Sequence, residues 1–156
     1  MPRAAIGVGS NVGDAAANVR RGVADLARLG RIVARSALYR SPAWGETAQD
    51  PFVNAAVLLE TKLEPRALLG ALKDIEMRAG RTATYRWGPR VLDLDILTYD
   101  ERQVAEPDLQ IPHPHLHARA FALVPLAEID PRFAGARDAL PPGERAAVLK
   151  FQGAPP

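Results

Sequence analysis

Asp93 and Asp95 stand two positions apart in the stretch RWGPRVLDLDILTYD, inside an otherwise apolar run. In a strand, residues i and i+2 share a face, so the two carboxylates project together while Leu92, Leu94 and Ile96 pack on the other side. Neighbouring acids repel, and burial raises their pKa values, unless a cation neutralises them. Hard oxygen ligands favour magnesium or calcium over zinc. The plainer alternative is a salt bridge from one aspartate to Arg86 or Arg90 in the loop just before the strand. Together with Arg81, those arginines are what a polyphosphate needs beside a metal-carboxylate centre, because guanidinium groups grip the non-bridging oxygens. A solvated cationic loop is the competing reading. Trp87, next to Gly88 and Pro89, argues against it, since an exposed tryptophan is costly unless it sometimes covers a ligand.

Further groups could join such a site. Asn54 interrupts the apolar run FVNAAVLLE; a buried amide must find partners, which can be a neighbouring backbone or the edge of a nitrogen heterocycle. Trp44, Phe52, Trp87 and Phe121 offer stacking surfaces or ordinary core. All three histidines fall in PHPHLH, as His113, His115 and His117. Prolines at 112 and 114 prevent a regular element from aligning three rings for zinc, so one histidine contacting a phosphate is the preferred reading. The turn GVGSNVGD follows a strand and opens a helix, but its spacing is not that of a dinucleotide fingerprint and no GxxxxGK[ST] occurs. It reads as a tight structural connection.

The elements that must position these residues follow from pattern. A buried strand is expected over Arg3 to Val8, then a helix capped by Asp14, carrying Val19, Val23, Leu26 and Leu29, and stopped by Gly30. A second strand is expected from about Ile32 to Tyr39, and a third from Phe52 to Thr61, buried on both faces. Pro65 opens a second helix with Leu68, Leu72, Ile75 and Ala79 on its apolar stripe, ended by Gly80. The fourth strand runs from about Val91 to Tyr99. This β-α-β-β-α-β order is an α/β (α+β) ferredoxin-like core with C-terminal additions. Those additions are a small hairpin in QVAEPDL, a helix around Ala118 to Leu126 and a short helix near Glu144 to Phe151. No repeat or linker divides residues 1–156, so one domain is expected.

Composition narrows the class. The 156 residues are 47% hydrophobic and 24% charged, ordinary for a globular domain rather than a disordered chain. Cysteine is absent, which excludes disulfides and thiolate metal sites and suits a cytoplasmic setting. No apolar run is long enough for a membrane span, and the N-terminal apolar segment is too short for a signal core. The net charge is only +2 with arginines scattered, so no nucleic-acid-binding tail is indicated. A ferredoxin-like nucleic-acid module remains the alternative class, although it would lack the aromatic signature of such domains and would carry paired acids instead.

Taken together, GVGSNVGD, LYRSPAWG, QDPFVNAAVLLET, EMRAGR, RWGPRVLDLDIL and IPHPHLHARAFALVPL resemble the 6-hydroxymethyl-7,8-dihydropterin pyrophosphokinases of folate biosynthesis. The resemblance covers all but roughly the last twenty-five residues by motif spacing. It implies transfer of the β,γ-pyrophosphoryl unit of ATP to a pterin hydroxymethyl group, releasing AMP, by a monomer that binds neither nucleic acid nor membrane. It further implies that Asp93 and Asp95 hold two magnesium ions. Ser41, Pro42, Trp44, Phe52, Asn54 and Phe121 would bind the pterin. Glu76, Arg86, Ile96, Gln110, His113 and Arg119 would line the ATP site, and Arg81, Trp87 and Arg90 would belong to a closing catalytic loop. Ala83 departs from the family pattern, where a second arginine is common, and His115 departs where an arginine often follows PHP.

Overall fold

The computed structural model describes residues 1–42, 51–80 and 91–151. Among the described residues, eight strands and five α-helices follow one another: β1 (Arg3–Ser10), α1 (Ala15–Leu26), β2 (Arg31–Arg35), β3 (Tyr39–Ser41), β4 (Phe52–Glu60), α2 (Pro65–Arg78), β5 (Asp93–Tyr99), β6 (Val104–Glu106), β7 (Leu109–Ile111), α3 (Ala120–Ile129), α4 (Ala134–Asp138), α5 (Pro142–Ala146) and β8 (Leu149–Lys150). Six of the strands form one sheet in the order β5-β1-β4-β3-β8, with β2 also pairing β4. All described pairings are antiparallel. Treating β2 and β3 as one interrupted strand, this is the expected ferredoxin-like order.

Strand alternation sorts the sheet into two faces. Ile6, Val8, Val53, Ala55, Val57, Leu94 and Ile96 pack with Val19, Val23, Leu68, Leu72 and Ile75 of α1 and α2. Ala5, Ala56 and Leu97 instead pack with Leu123 and Leu126 of α3. Leu97 reaches that second face by alternation with Asp93 and Asp95; the β1–β5 register shift between Ala5 and Ile6 inserts one extra β5 residue there, and Tyr99 beyond it packs with the first group. β4, the expected third strand, is thus buried on both faces, as its largely apolar run predicts.

Helix starts behave as expected. Asp14 caps α1 by accepting a hydrogen bond from the Ala17 N–H at 3.1 Å. Pro65 occupies the first turn of α2, and Gly80 beyond its end adopts φ +95°. The hairpin β6–β7 forms where QVAEPDL suggests one, and α3 begins and ends slightly later than expected.

Four expectations need correction. The second strand is two strands, because at Ser36 the side chain takes over from the ladder: its Oγ accepts from Ala56 N at 2.9 Å and donates to Ala37 O at 2.7 Å. Gly30 is no helix stop, since α1 ends at Leu26; a Cβ at Gly30 would lie 2.0 Å from Glu60 O, so glycine there permits a close backbone approach. The first strand runs on past the expected Val8 to Ser10, so Gly9 is strand interior rather than part of a turn. The C-terminal helix is the short α5, and residues 149–150 instead form β8 on the edge of β3. Phe151 extends that tie by donating its N–H to Leu38 O at 2.7 Å.

Candidate active site

One row of residues crosses the sheet. Gly9 of β1 pairs with Asn54 of β4 on one side and with Asp93 of β5 on the other, and Tyr39 of β3 lies opposite Asn54. In the next row on the same face, Gly7 separates Asp95 from Ala56. The two glycines therefore form a bare floor between the acids of an edge strand and the amide of a central strand. A cavity of about 990 Å³ opens over this floor. That is at the upper end of the size common for ligand sites.

Asn54 and Ser41 are buried, and the Asn54 amide donates from Nδ2 to Ser41 Oγ at 3.1 Å. A Cβ on Gly9 would meet Asn54 Oδ1 at 2.6 Å, so this amide has its position only because Gly9 has no side chain. Phe52 and Pro42 line the same end of the cavity, and Phe121 lines it from the first turn of α3. The Arg119 guanidinium lies over the Phe121 ring, 5.7 Å from its centroid.

At the other end β5 is an edge strand, whose outward backbone groups need partners. Glu76 of α2 supplies one, accepting from Leu94 N at 2.7 Å with its carboxylate buried. His113 supplies another, donating its own N–H to Leu97 O at 2.9 Å. The His113 ring lines the cavity, and burial, with Arg119 and then His115 nearby, pushes its pKa down to about 4. The imidazole is neutral near pH 7, and its Nδ1 accepts from His115 N at 3.3 Å, which leaves the proton on Nε2 as a donor.

The cavity gathers every described residue expected to act: Ser41, Pro42, Phe52, Asn54, Glu76, Asp93, Asp95, Ile96, Gln110, His113, Arg119 and Phe121. Trp44, Arg81, Arg86, Trp87 and Arg90 lie outside the described residues. The aspartates do not sit in an apolar interior: Asp93 is half-buried and Asp95 is exposed at the cavity. Lys73 and Asp108 also line the cavity, and neither stands out in the sequence. Lys73 lies three residues before Glu76 on α2, a helical spacing that could have revealed it. The three histidines do not converge, since His117 packs beside Phe133 with ring centroids 6.1 Å apart, away from the His113–His115 pair.

Among the described residues no group of three or more His, Asp or Glu side chains is arranged around a common metal position. Two carboxylates on one face are nevertheless a fitting donor set for magnesium, which keeps several waters and completes its shell with substrate phosphates. Two carboxylates alone suit zinc poorly, since its protein sites take three or four ligands with histidine or cysteine among them.

Residues 5–131 match the sequence pattern of the family described as 7,8-dihydro-6-hydroxymethylpterin-pyrophosphokinase (HPPK). The chain belongs to this family. A 2-amino-4-hydroxy-6-hydroxymethyldihydropteridine pyrophosphokinase of Methylorubrum extorquens is 51% identical over 133 residues, covering 84% of each chain. The protein of the same name from Pseudomonas aeruginosa is 43% identical, covering 84% of this chain and 82% of its own. Among solved structures, the HPPK-DHPS of Plasmodium falciparum with SDX-DHP superimposes with a TM-score of 0.68 at 15% identity. That likeness speaks for the HPPK fold alone; it covers 88% of this chain but only 43% of the longer solved one. The matched segment ends before α4, α5 and β8, so the strand that edges β3 lies beyond the family pattern. None of the described helices is long and apolar enough to cross a membrane.

Proposed function

We propose that this HPPK-family chain transfers the β,γ-pyrophosphoryl unit of ATP to the hydroxymethyl group of 6-hydroxymethyl-7,8-dihydropterin, releasing AMP, in folate synthesis. The observation that carries this reading is the cross-sheet row in which Gly9 separates Asn54 from Asp93. It puts the Asn54 amide and the acid pair in one cavity, one strand apart on either side of β1, which supports a heterocycle at one end and phosphates at the other. Transfer of this kind asks for charge neutralisation and in-line placement rather than covalent chemistry by the protein.

Asn54 reads the pterin edge, with Phe52 and Phe121 enclosing the ring and Ser41 fixing the amide. Magnesium held by Asp93 and Asp95 would supply charge neutralisation on the phosphate oxygens. His113 donates from Nε2 toward a phosphate oxygen, and Arg119 adds a cation beside it. Gln110 and Ile96 line the nucleotide side. Arg81, Arg86, Trp87 and Arg90 close over both substrates and exclude water. With Ala83 in place of a second arginine, the chemical step leans on Arg81, Arg86 and Arg90. The chain works as a cytoplasmic monomer, a setting that its cysteine-free composition suits.

AMP formation that depends on both ATP and the pterin tests the reading. Asp95→Asn should lower turnover by about 10²–10³-fold, the scale for losing a transition-state charge contact. Asn54→Ala should chiefly raise the KM for the pterin. Wild-type turnover in Asp95→Asn, or an unchanged pterin KM in Asn54→Ala, would overturn the assignment.

A further inference from the structure

The pterin end of the cavity hangs on a very short strand. β3 has only three residues, and its neighbour β8 only two. Such a strand contributes few ladder hydrogen bonds of its own, yet it carries Ser41, whose Oγ receives the Asn54 amide. Something besides the sheet must hold it in register.

Glu128, near the end of α3, reaches down onto the gap between β2 and β3 and binds twice. Its Oε2 accepts from Ala37 N at 3.0 Å. Its Oε1 accepts a short hydrogen bond from the Tyr39 hydroxyl. Burial first, and the adjoining Glu128 carboxylate second, push the Tyr39 hydroxyl pKa well above the usual phenol range, so it stays a donor. Tyr39 is buried, lies directly opposite Asn54 and stands two residues from Ser41, on the same face of β3. The path from α3 to the pterin-reading amide is therefore Glu128, Tyr39 and Ala37, Ser41, Asn54.

We infer that Glu128 is a positioning residue for the pterin subsite, acting through β3 to fix the Ser41–Asn54 pair. The inference rests on the pterin reading of that pair. Glu128 itself does not line the cavity.

The test measures the affinity of 6-hydroxymethyl-7,8-dihydropterin and, separately, of a non-hydrolysable ATP analogue by calorimetry. Glu128→Ala should weaken the pterin roughly three- to tenfold, the loss of about one hydrogen bond's net worth. Nucleotide affinity should be unchanged. Glu128→Gln should restore pterin affinity, because its carbonyl can still accept from Ala37 N and its amide can donate to the Tyr39 oxygen. In a Ser41→Ala background, Glu128→Ala should add little further loss, because both act on one path. A merely structural contact would lower the melting temperature and weaken both ligands together. That outcome, no change in pterin affinity, or full additivity with Ser41→Ala would overturn the inference. Should Glu128→Ala fail to fold, Tyr39→Phe carries the same expectations. If Asn54→Ala binds the pterin like wild type, the pterin reading of the subsite falls, and the role of Glu128 falls with it.

Discussion

Replacing Gly9 with alanine asks whether the Asn54 amide depends on a bare backbone beside it. The new Cβ would sit 2.6 Å from Asn54 Oδ1, well inside van der Waals contact, and the next nearest atoms are Asn54 Cγ and Val53 O, each at 3.7 Å. Asn54 must therefore turn away, and its 3.1 Å hydrogen bond to Ser41 goes with it. Two hydrogen bonds to the pterin edge, each worth about 1 kcal/mol net, would be misplaced, for about 2 kcal/mol or roughly 30-fold in affinity. The fold should change little. Alanine gains roughly 0.5–1 kcal/mol over glycine in strand backbone entropy, against an overpacking cost of about 1–3 kcal/mol. No atom of Asp93 is among those nearest contacts, so the nucleotide side should be spared. Fluorescence titration of the pterin in the presence of a non-hydrolysable ATP analogue reads the effect. Unchanged pterin affinity, or an equal loss for nucleotide, would refute the reasoning.

Glu76→Ala removes the acceptor of a buried edge N–H, so urea denaturation should show a loss of about 1–3 kcal/mol, largely recovered in Glu76→Gln. His113 has a folded pKa of about 4 against an ordinary 6.5, so it favours folding above pH 6.5, and that contribution is lost as pH falls toward 4. His113→Asn should accordingly flatten the pH dependence of the melting temperature across that window, while an unaltered slope would place the acid sensitivity elsewhere. Gly70 sits on the exposed side of α2, and a methyl group added there would meet nothing within 4 Å. Gly70→Ala should raise stability by about 1 kcal/mol with catalysis unaltered, as measured by thermal melting and AMP formation.

The acid pair, the sheet order and the helix starts are legible in the sequence because each depends on a local period or a single residue's chemistry. Asp93 and Asp95 share a face by strand alternation whatever packs around them, and Asp14 needs only the next turn of its own helix. The break between β2 and β3 is not legible, because the bond that causes it joins Ser36 to Ala56, twenty residues away on a paired strand. Gly9 reads as a turn residue because a glycine in a strand acquires meaning only from what stands opposite it, here Asn54 and Asp93. The final strand β8 reads as helix, since two residues on a sheet edge carry too little pattern to compete with the helical signal of α5 beside them. Of the cavity-lining residues, Lys73 is hidden among the charges of α2, although its distance from Glu76 along the helix places both on one side.

The most direct measurement is a phosphorus NMR time course of the protein with ATP, magnesium and 6-hydroxymethyl-7,8-dihydropterin. An intact pyrophosphoryl group moving to the pterin, with AMP rising in step, is the predicted result. ADP or free phosphate in its place, or an unchanged ATP spectrum from folded protein, would contradict the assignment of this cavity to pyrophosphoryl transfer.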